Sequence, residues 1–440
     1  MDISELHKVF LRCGAVTTDT RTLRGGELFF ALKGENFDGN RFVPQALEKG
    51  AAYAVADRTS EAAASGDPRI IAVDDTLETL QALARYHRRA ARVQGKPLTV
   101  IGLTGTNGKT TTKELIRSVL AVKYRVTATE GNLNNDIGVP LTLLRITAAT
   151  ELALVEMGAN HPDDIQRLVS VCEPDFGLIT NVGRAHLLGF GSFEGVKRAK
   201  GQLYDWLSAH GGCAFLNTDD SELLSMASGR SGMRTLPYGV LFERVEILPV
   251  DAAHPFLRMK IRNHVLETRL VGAYNAANVM AALAVGRQFD VPFVDALDAI
   301  AAYEPANSRS QLVRTERNIL IVDAYNANPT SMAAALDNFA RMEAPHKAVL
   351  LGQMGELGAE SEAEHVRLLQ RIAALAPERV CLVGEQYRAA LGEVPALSGA
   401  CWYPDSASLA AALADAPLEG YTVLVKGSRS TQMEKVIPVL

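Results

Sequence analysis

The sequence predicts an α/β protein of three domains: a small N-terminal α/β domain, a central parallel-sheet domain and a C-terminal α/β domain. At 440 residues the chain exceeds what one hydrophobic core normally organises. Two separate sets of apolar strands alternate with helical segments, one starting at Pro97 and one at Asn318. Such alternation predicts parallel sheets with crossover helices. We place the three domains at residues 1–76, 77–308 and 309–440.

The composition is that of an ordinary globular protein, with 48% hydrophobic and 22% charged residues. A net charge of −5 argues against a nucleic acid or an anionic membrane held by bulk charge. The five cysteines are widely spread and form no Cys-x-x-Cys pair, which is typical of reduced thiols without a zinc site. No apolar run reaches membrane-spanning length. We therefore expect a cytoplasmic protein with neither membrane insertion nor a nucleic-acid partner.

The first domain begins with a short apolar strand in Gly26-Glu-Leu-Phe-Phe-Ala-Leu32. A turn-rich stretch, residues 33–40, follows it, and residues 44–49 then predict a short helix. Asp75 and Thr76 can cap the next helix. We therefore place the first domain boundary near residue 76.

The central and C-terminal domains each contain a series of short apolar strands. In the central domain these are residues 98–103, 152–157 and 176–181, with a helix after Lys109. In the C-terminal domain they are residues 318–323, 348–352, 379–384 and 421–426. Since helical segments lie between them, each series predicts a parallel sheet, and the last domain is expected to be Rossmann-like.

A glycine-rich turn joins the first central strand to its helix, in Thr99-Val-Ile-Gly-Leu-Thr-Gly-Thr-Asn-Gly-Lys-Thr-Thr-Thr112. Glycines allow backbone N–H groups to converge on phosphate oxygens, and the helix N-terminus adds its dipole. Lys109 supplies a charge to the outer phosphates, and the Thr110 hydroxyl can bind magnesium. The loop departs from the strict Walker pattern, because Leu103 stands where that pattern has glycine. The central domain is therefore predicted to be a P-loop ATPase domain, and a simple connecting turn is the alternative.

Two further side chains follow neighbouring strands of the predicted central sheet. Glu156 ends one strand, and His186 comes shortly after the next. Ligands of open α/β sheets bind at the carboxyl ends of strands, so both can hold magnesium there. The alternatives are a solvent-exposed glutamate and a structural histidine. Spacing alone predicts that Lys200 lies on a helix surface.

Several motifs in order resemble the Mur ligase family. They are Gly105-Thr-Asn-Gly-Lys-Thr-Thr, Gly131-Asn-Leu-Asn-Asn-Asp-Ile-Gly-Val-Pro140, Glu156-Met-Gly, Asn181-Val-Gly-x-Ala-His186 and Gly272-Ala-Tyr-Asn-Ala-Ala-Asn278. Arg309 and Asp323 resemble the arginine and aspartate of the family's C-terminal domain. The resemblance spans nearly all of the chain.

Two stretches are similar to the branch of this family that adds D-alanyl-D-alanine. They are Asp323-Ala-Tyr-Asn-Ala-Asn-Pro-Thr-Ser and Leu351-Gly-Gln-Met-Gly-Glu-Leu357. The Asp-Asn-Pro-Arg signature of the diaminopimelate-adding branch does not occur. In the first domain, Asp19-Thr-Arg21 and Lys33-Gly-Glu-Asn-Phe-Asp-Gly look like the UDP-binding domain that the two branches share.

The resemblance implies a role for each matching residue. It implies ATP binding by Gly105, Thr106, Asn107, Gly108, Lys109, Thr110, Thr111, Asn275, Asn278, Arg309 and Asp323. It implies substrate binding by Asp19, Arg21, Lys33, Asn36, Asp38, Asn134, Asn135, Asn326, Asn328 and Lys426. It implies catalytic roles for Lys109, Glu156, His186, Lys200 and Arg309, with two magnesium ions on Thr110, Glu156, His186 and Lys200. In this family the matching lysine is carbamylated, although Gln202 stands here where the family pattern has glutamate.

The function that the resemblance implies is ATP-dependent joining of D-alanyl-D-alanine to UDP-N-acetylmuramoyl-tripeptide through an acyl-phosphate. The product would be the pentapeptide precursor of peptidoglycan, and we expect a monomer. One alternative is a sister ligase of the diaminopimelate-adding or folylpolyglutamate type. Another is a non-catalytic nucleotide-dependent switch, which would need the loop but not Glu156, His186 and Lys200. A structural scaffold would need repeats that the sequence does not show.

Overall fold

The computed structural model describes residues 1–34, 36–250, 254–305 and 311–440. The N-terminal part is built around a parallel sheet of strand order β1-β2-β5-β6. Its helices are α1 Ile3–Cys13, α2 Val43–Glu48, α3 Glu61–Ala64 and α4 Thr76–Ala90. Its strands are β1 Val16–Thr17, β2 Leu28–Phe30, β3 Lys33–Gly34, β4 Phe37–Asp38, β5 Tyr53–Asp57 and β6 Ile70–Val73. The turn-rich stretch of the sequence contains the small hairpin β3–β4.

The central part has a parallel sheet of order β10-β11-β9-β12-β13-β14. Its strands, after the hairpin β7 Arg92–Val93 and β8 Lys96–Pro97, are β9 Thr99–Thr104, β10 Val126–Ala128, β11 Leu152–Glu156, β12 Phe176–Ile179, β13 Cys213–Asn217 and β14 Arg234–Tyr238. Its helices are α5 Lys109–Ala121, α6 Gly138–Leu143, α7 Asp164–Cys172, α8 Leu187–Phe190, α9 Phe193–Ala209 and α10 Ser221–Ala227.

An antiparallel sheet and two helices complete this part of the chain. The strands are β15 Glu246–Ile247, β16 Arg258–Ile261 and β17 His264–Glu267, and the helices are α11 Ala276–Gln288 and α12 Phe293–Ala301. Helix α11 is buried on nearly all sides and packs against α5, the helix that follows the glycine-rich turn. A helix that is apolar all round is expected in the interior of a large domain.

The C-terminal part has the sheet order β18-β19-β23-β20-β21-β22, in which the edge strand β18 is antiparallel and the others are parallel. The strands are β18 Gln311–Arg314, β19 Ile319–Asp323, β20 Lys347–Gly352, β21 Arg379–Val383, β22 Cys401–Tyr403 and β23 Thr422–Lys426. The helices are α13 Pro329–Arg341, α14 Ser361–Leu375, α15 Glu385–Leu391 and α16 Ser406–Asp415. The predicted three-part α/β fold is confirmed.

The register of the central sheet explains how distant motifs meet. Glu156, the last residue of β11, pairs with Leu103 of β9. On the other side of β9, Ile179 of β12 pairs with Thr104. The carboxyl ends of these three strands therefore lie side by side, directly under the glycine-rich turn that follows β9. The segments that follow β11 and β12, about fifty and eighty residues after the turn, therefore lie next to the turn.

Helix α4 joins the N-terminal and central parts, because it packs on α1 on one side and on α6 and α7 on the other. Arg88 is buried and donates to the carbonyls of Cys172 and Glu173 at 3.1 and 2.6 Å. One hydrophobic cluster contains residues of both parts, from Leu6 in α1 to Met233 just before β14. The domain boundary at residue 76 stays a prediction, since the helix that begins there belongs to both units.

Short 3-10 segments complete the elements: Gly39–Phe42, Ala273–Asn275, Gly358–Glu360, Pro395–Leu397, Arg429–Thr431 and Met433–Val439. No helix in the described ranges combines the length and the apolar character that a membrane crossing requires.

Candidate active site

A cavity of about 630 Å³ lies where the central and C-terminal sheets face each other. Its volume is in the range of small-molecule sites. The residues that line it from the two sides include Thr106, Asn107, Gly108, Lys109, Thr110, Thr111, Asn134, Asn135, Glu156, His186, Asn275, Asn278, Asp323, Asn326 and Lys426. All fifteen were predicted from the sequence as site residues, and the structure brings them to one place.

The two residues that follow β12, Thr180 and Asn181, form hydrogen bonds with the glycine-rich loop. Thr180 Oγ1 donates to the Asn107 carbonyl at 2.6 Å, and Asn181 Oδ1 accepts from the Asn107 N–H at 3.0 Å. Gly105 has φ +147°, and a Cβ there would come within 1.9 Å of Thr180 Oγ1. Glycine is therefore needed here, both for the positive φ and for the close approach of Thr180. Lys109 folds back along the loop, and its Nζ donates to the Gly105 carbonyl at 2.8 Å.

Glu156 is 1% exposed and lies beside the start of α5. Its Oε1 accepts from Asn134 Nδ2 at 2.9 Å and from the Thr110 hydroxyl at 3.3 Å. Its Oε2 is buried and has no hydrogen-bond partner, with Lys113 Nζ at 4.0 Å. A buried carboxylate oxygen without a partner is costly unless a ligand satisfies it. Glu156 is therefore built to receive a positively charged group.

Magnesium fits this corner of the cavity. The ion prefers oxygen ligands and is commonly held by one or two carboxylates together with substrate phosphates. The Thr110 hydroxyl and the free Oε2 of Glu156 are oxygen donors of this kind. Among the described residues, no group of three or more histidine, cysteine, aspartate or glutamate side chains converges on one point. Phosphate oxygens would therefore have to complete the coordination.

A pair of asparagines closes the cavity behind the loop. Asn278 Nδ2 donates to Asn275 Oδ1 at 2.8 Å, and its own Oδ1 accepts from the Thr112 hydroxyl at 3.0 Å. Asn275 Nδ2 in turn donates to the Val271 carbonyl at 2.9 Å. A Cβ on Gly108 would lie 2.8 Å from Asn278 Oδ1. These contacts seat α11 directly against the loop, where the sequence predicted nucleotide-binding residues.

Lys200 lies on α9 and is 2% exposed, so the prediction from spacing alone, a helix-surface lysine, is wrong. Its Nζ donates to the Gly105 carbonyl at 3.0 Å and lies 6.0 Å from the centre of the Phe190 ring. Burial lowers the pKa of Lys200 well below its usual value, and the charge of Lys109 lowers it further. A buried amine that loses its proton easily is nucleophilic.

His186 adopts a left-handed backbone conformation with φ +52° at the start of α8. Its Nδ1 contacts the carboxylate of Glu356, which comes from the C-terminal domain. Burial lowers the pKa of His186, and although Glu356 opposes this effect, the charges of Lys109 and Lys200 add to it. The neutral imidazole is therefore favoured in the cavity wall.

The C-terminal domain contributes a buried lysine, Lys426, and two asparagines, Asn326 and Asn328, to this region. Lys426, at the end of β23, is 1% exposed and pairs with Asp323 at 2.5 Å. Its Nζ also donates to the Asn326 carbonyl at 3.0 Å. Asn328 caps α13, because its Oδ1 accepts from the Ser331 N–H at 2.9 Å. The turn predicted to contact substrate is therefore held in one conformation by its own polar groups.

Several predicted residues lie away from the cavity. Asp19, Arg21, Lys33, Asn36 and Asp38 are on the N-terminal part and do not line it. Arg21 is exposed and pairs with Asp19 at 2.7 Å, and this hydrogen bond lowers the pKa of Asp19 to about 2. Lys33 pairs with Asp57 at 2.7 Å. Arg309 lies outside the described residues.

Two further residues contribute to the site, although the sequence assigned them no role. Asn181 belongs to one of the family motifs, and its side chain forms two hydrogen bonds with the backbone of Asn107 in the loop. Glu356 stood in another motif, and its contact with His186 spans 170 positions of the chain. A polar residue at the end of the predicted strand, residues 176–181, was the signal available for Asn181. The sequence carries no comparable signal for Glu356.

Three family models match the chain. The "Mur ligase family, catalytic domain" model matches residues 13–88, the "Mur ligase middle domain" model residues 103–286, and the "Mur ligase, glutamate ligase domain" model residues 308–429. A relative from Escherichia coli, UDP-N-acetylmuramoyl-tripeptide–D-alanyl-D-alanine ligase, is 36% identical and is aligned over 99% of this chain and 95% of its own length.

Two solved structures resemble the whole molecule. MurF from Acinetobacter baumannii has a TM-score of 0.84 and 29% identity, covering 99% of this chain and 97% of that one. MurF ligase from Thermotoga maritima, solved in complex with ADP, has a TM-score of 0.82 and 26% identity, covering 98% of this chain and 97% of that one. The likeness therefore extends over all three parts of the fold.

Proposed function

The chain belongs to the Mur ligase family, and from that premise we propose that it joins D-alanyl-D-alanine to UDP-N-acetylmuramoyl-tripeptide. The reaction converts ATP to ADP and phosphate, and its product is the pentapeptide precursor of peptidoglycan. The observation that carries the proposal is that the phosphate loop and Asp323, Asn326 and Lys426 of the C-terminal domain line the same cavity. Nucleotide and amine can therefore reach the same reacting carboxylate.

The chemistry has two steps. An oxygen of the tripeptide's terminal carboxylate attacks the γ-phosphorus of ATP, the bond to the bridging oxygen breaks, and ADP leaves. The amine of D-alanyl-D-alanine then attacks the carbonyl carbon of the acyl-phosphate, phosphate leaves with the former carboxylate oxygen, and the amine loses a proton. No enzyme nucleophile is needed, so the protein acts mainly by positioning, charge stabilisation and exclusion of water.

Lys109 and the loop N–H groups are placed for the first step. The loop residues line the cavity, and α5 begins at Lys109, so its N-terminal dipole faces the phosphates. Asn275 and Asn278 would hold the base end of the nucleotide, since they close the cavity behind the loop. These side chains bind and orient ATP against the incoming carboxylate.

Magnesium when bound would neutralise the charge that develops on the transferred phosphoryl group. Thr110 and Glu156 would hold one ion, and the free Oε2 of Glu156 supports this assignment. His186 and a carbamate on Lys200 would hold a second. The burial of Lys200 and the direction of its pKa shift support the modification, because carbamylation requires an unprotonated amine.

The other residues that line the cavity are assigned to the tripeptide carboxylate, the dipeptide and ATP. Asn134 and Asn135 line the cavity beside Glu156 and would orient the tripeptide carboxylate. Asp323, Asn326 and Lys426 line it on the C-terminal side, where Asn326 and Lys426 would hold the dipeptide while Asp323 contacts ATP.

The far end of the tripeptide substrate is assigned to the N-terminal part. The exposed face that carries Asp19, Arg21, Lys33, Asn36 and Asp38 would bind its UDP group. Arg21 and Lys33 are the cations of this set that could meet its phosphates, and they pair at present with Asp19 and Asp57.

We also propose a cytoplasmic location. The five cysteines all lie in described ranges, and all are free thiols. Free cysteines of this kind are typical of a reducing compartment.

The test is phosphate release by the purified protein with ATP, magnesium and UDP-N-acetylmuramoyl-tripeptide. D-alanyl-D-alanine would be present, omitted, or replaced by diaminopimelate, lysine or glutamate. We expect turnover with D-alanyl-D-alanine alone, with the pentapeptide identified by its mass. Lys109→Ala should abolish turnover, and Arg117→Ala on the exposed side of the same helix should keep it.

Turnover with a different amine would move the protein to a sister activity of the same family. Phosphate release that is independent of both tripeptide and amine would instead favour a nucleotide-dependent switch.

A further inference from the structure

The loop that follows β20 brings one carboxylate across to the central domain. Glu356 lies in this loop with φ +60°, in the left-handed region that non-glycine residues seldom occupy. Its side chain contacts His186 Nδ1, and its backbone carbonyl accepts from the Leu188 N–H at 3.1 Å. Two atoms of one C-terminal residue therefore hold both ends of a three-residue segment of the central domain.

Both partners of this contact have left-handed backbones, since His186 has φ +52°. Such conformations are unfavourable for non-glycine residues and persist where the surrounding structure requires them. They cluster at functional sites, where strain aims a side chain. The meeting of two such residues in the wall of the cavity therefore indicates that the contact serves the site.

The contact with Glu356 determines which ring nitrogen of His186 carries a hydrogen atom. An ionised carboxylate only accepts hydrogen bonds, so His186 Nδ1 must carry a hydrogen atom. In the neutral ring, Nε2 then keeps its electron pair. Because Nδ1 is occupied by Glu356 and His186 lines the cavity, Nε2 is the nitrogen available to a bound group. An electron pair suits a cation and does not suit a phosphate oxygen.

We propose that Glu356 is a positioning residue for the ligase reaction, which holds His186 in the Nδ1–H tautomer and presents Nε2 to a cation in the cavity. Since Glu356 belongs to the C-terminal domain, this alignment exists only while that domain is docked on the central one. The second metal position is therefore completed by docking. This inference rests on the proposed function for its kinetic consequence, but the tautomer itself is independent of it.

A matched control lies in the same interface. Arg184 and Glu360 form an ion pair at 2.8 Å between the same two segments, two residues before His186 and four after Glu356. Both side chains are half exposed, and neither contacts His186. Glu360→Ala therefore weakens the same domain contact without changing the ring. Glu356→Gln keeps an acceptor oxygen for Nδ1–H, whereas Glu356→Ala removes it.

The first measurement is the ¹⁵N chemical shift of the His186 ring nitrogens in the full-length protein without nucleotide or metal. His186→Gln identifies the signal by its loss. We expect hydrogen on Nδ1 in the wild type, Glu356→Gln and Glu360→Ala, and loss of this preference in Glu356→Ala. Hydrogen fixed on Nε2 in the wild type would overturn the proposal.

The second measurement is the magnesium concentration that gives half-maximal turnover. Partners of metal ligands typically change metal affinity or activity about 10–100-fold, and we expect a rise of this size in Glu356→Ala. Glu356→Gln and Glu360→Ala should stay close to the wild type. An equal rise in Glu360→Ala would assign Glu356 a merely structural part in the interface. If the wild type does not use D-alanyl-D-alanine, the proposed function fails while the tautomer measurement still decides the role of Glu356.

Discussion

The side-chain amides of Asn107 and Asn328 bind each other across the gap between the central and C-terminal domains. Asn328 Nδ2 donates to Asn107 Oδ1 at 2.8 Å, and Asn107 Nδ2 approaches Asn328 Oδ1 at 3.4 Å. Asn107 belongs to the phosphate loop, and Asn328 is the N-cap of α13. One amide pair thus links the position of the nucleotide to the position of the C-terminal domain.

Asn328→Ser tests this link, because serine caps a helix about as well as asparagine but cannot reach Asn107. We expect the free energy of unfolding to change by less than about 1 kcal/mol. The rate constant kcat should fall about 5–10-fold, which corresponds to one hydrogen bond of about 1 kcal/mol. Steady-state kinetics and urea unfolding measure the two effects. Asn338→Ser on the same helix is the control, and a wild-type kcat in Asn328→Ser would disprove the link.

Lys200→Ala should lose turnover, since it removes the amine that a carbamate would need. Because the variant also opens space beside the Gly105 carbonyl, a short-chain carboxylate such as propionate should restore part of the activity. The assay is phosphate release as a function of carboxylate concentration. Lys197→Ala, one turn earlier on α9, should keep wild-type activity, because Lys197 pairs with Glu194 and Glu222 at the surface. Full activity of unrescued Lys200→Ala would exclude a role for the lysine.

Glu156→Gln should keep the fold and lose activity. The amide oxygen can still accept from Asn134 and Thr110, but the neutral side chain no longer attracts a cation. We expect kcat to fall about 100-fold or more when a carboxylate ligand of magnesium is lost. A magnesium titration of turnover measures this. Glu151→Gln, at the opposite end of β11, is the control, and magnesium dependence unchanged in Glu156→Gln would refute the assignment.

His365 makes the stability of the C-terminal domain depend on pH. Its Nδ1 donates to the Ser361 carbonyl at 2.7 Å, and its Nε2 accepts from the Met354 N–H at 3.1 Å, so the ring must be neutral. Burial lowers the pKa of His365 below 6.5. As the pH falls, His365 therefore binds a proton in the unfolded chain at a higher pH than in the folded chain. Its contribution to the free energy of unfolding is fully present above pH 6.5 and is lost as the pH drops toward the folded pKa.

The corresponding measurement is urea unfolding at pH 7.5 and pH 5.5. We expect His365→Leu to be less stable than the wild type at pH 7.5, and to lose less stability between the two pH values. His346→Leu is the control, because His346 is exposed and bonds only Glu378 at the surface. An equal pH dependence in the wild type and His365→Leu would show that the pKa of His365 is the same in the folded and unfolded chains, and it would refute this prediction.

Much of the fold could be predicted because strand ends are marked in the sequence. The apolar run before Gly105 and the run ending at Glu156 each become a buried parallel strand, and the strand register places their ends together. This follows from local pattern and from the rule that parallel strands end at one edge. The cavity wall contributed by the central sheet was therefore accessible from the sequence.

The side chains that depend on contacts between domains could not be predicted in this way. Lys200 looks like a surface residue in its own helix, but it is buried in the folded protein, where it donates to the Gly105 carbonyl of the glycine-rich loop. Glu356 meets His186 because two loops from different sheets approach each other. No spacing within one element carries information about such an approach. The resemblance supplied the role of Lys200, but it supplied none for Glu356.

Helix α4 and the hydrophobic cluster that contains Leu6 and Met233 connect the N-terminal unit to the central unit. The two units are therefore not independent domains. The first two units have separate sheets, but one hydrophobic cluster contains residues of both, and Arg88 is buried between them. A fragment cut at residue 76 would keep its strands and lose the wall against which α1 packs. We therefore expect that the first unit is not stable as a free-standing piece and that the two units unfold together.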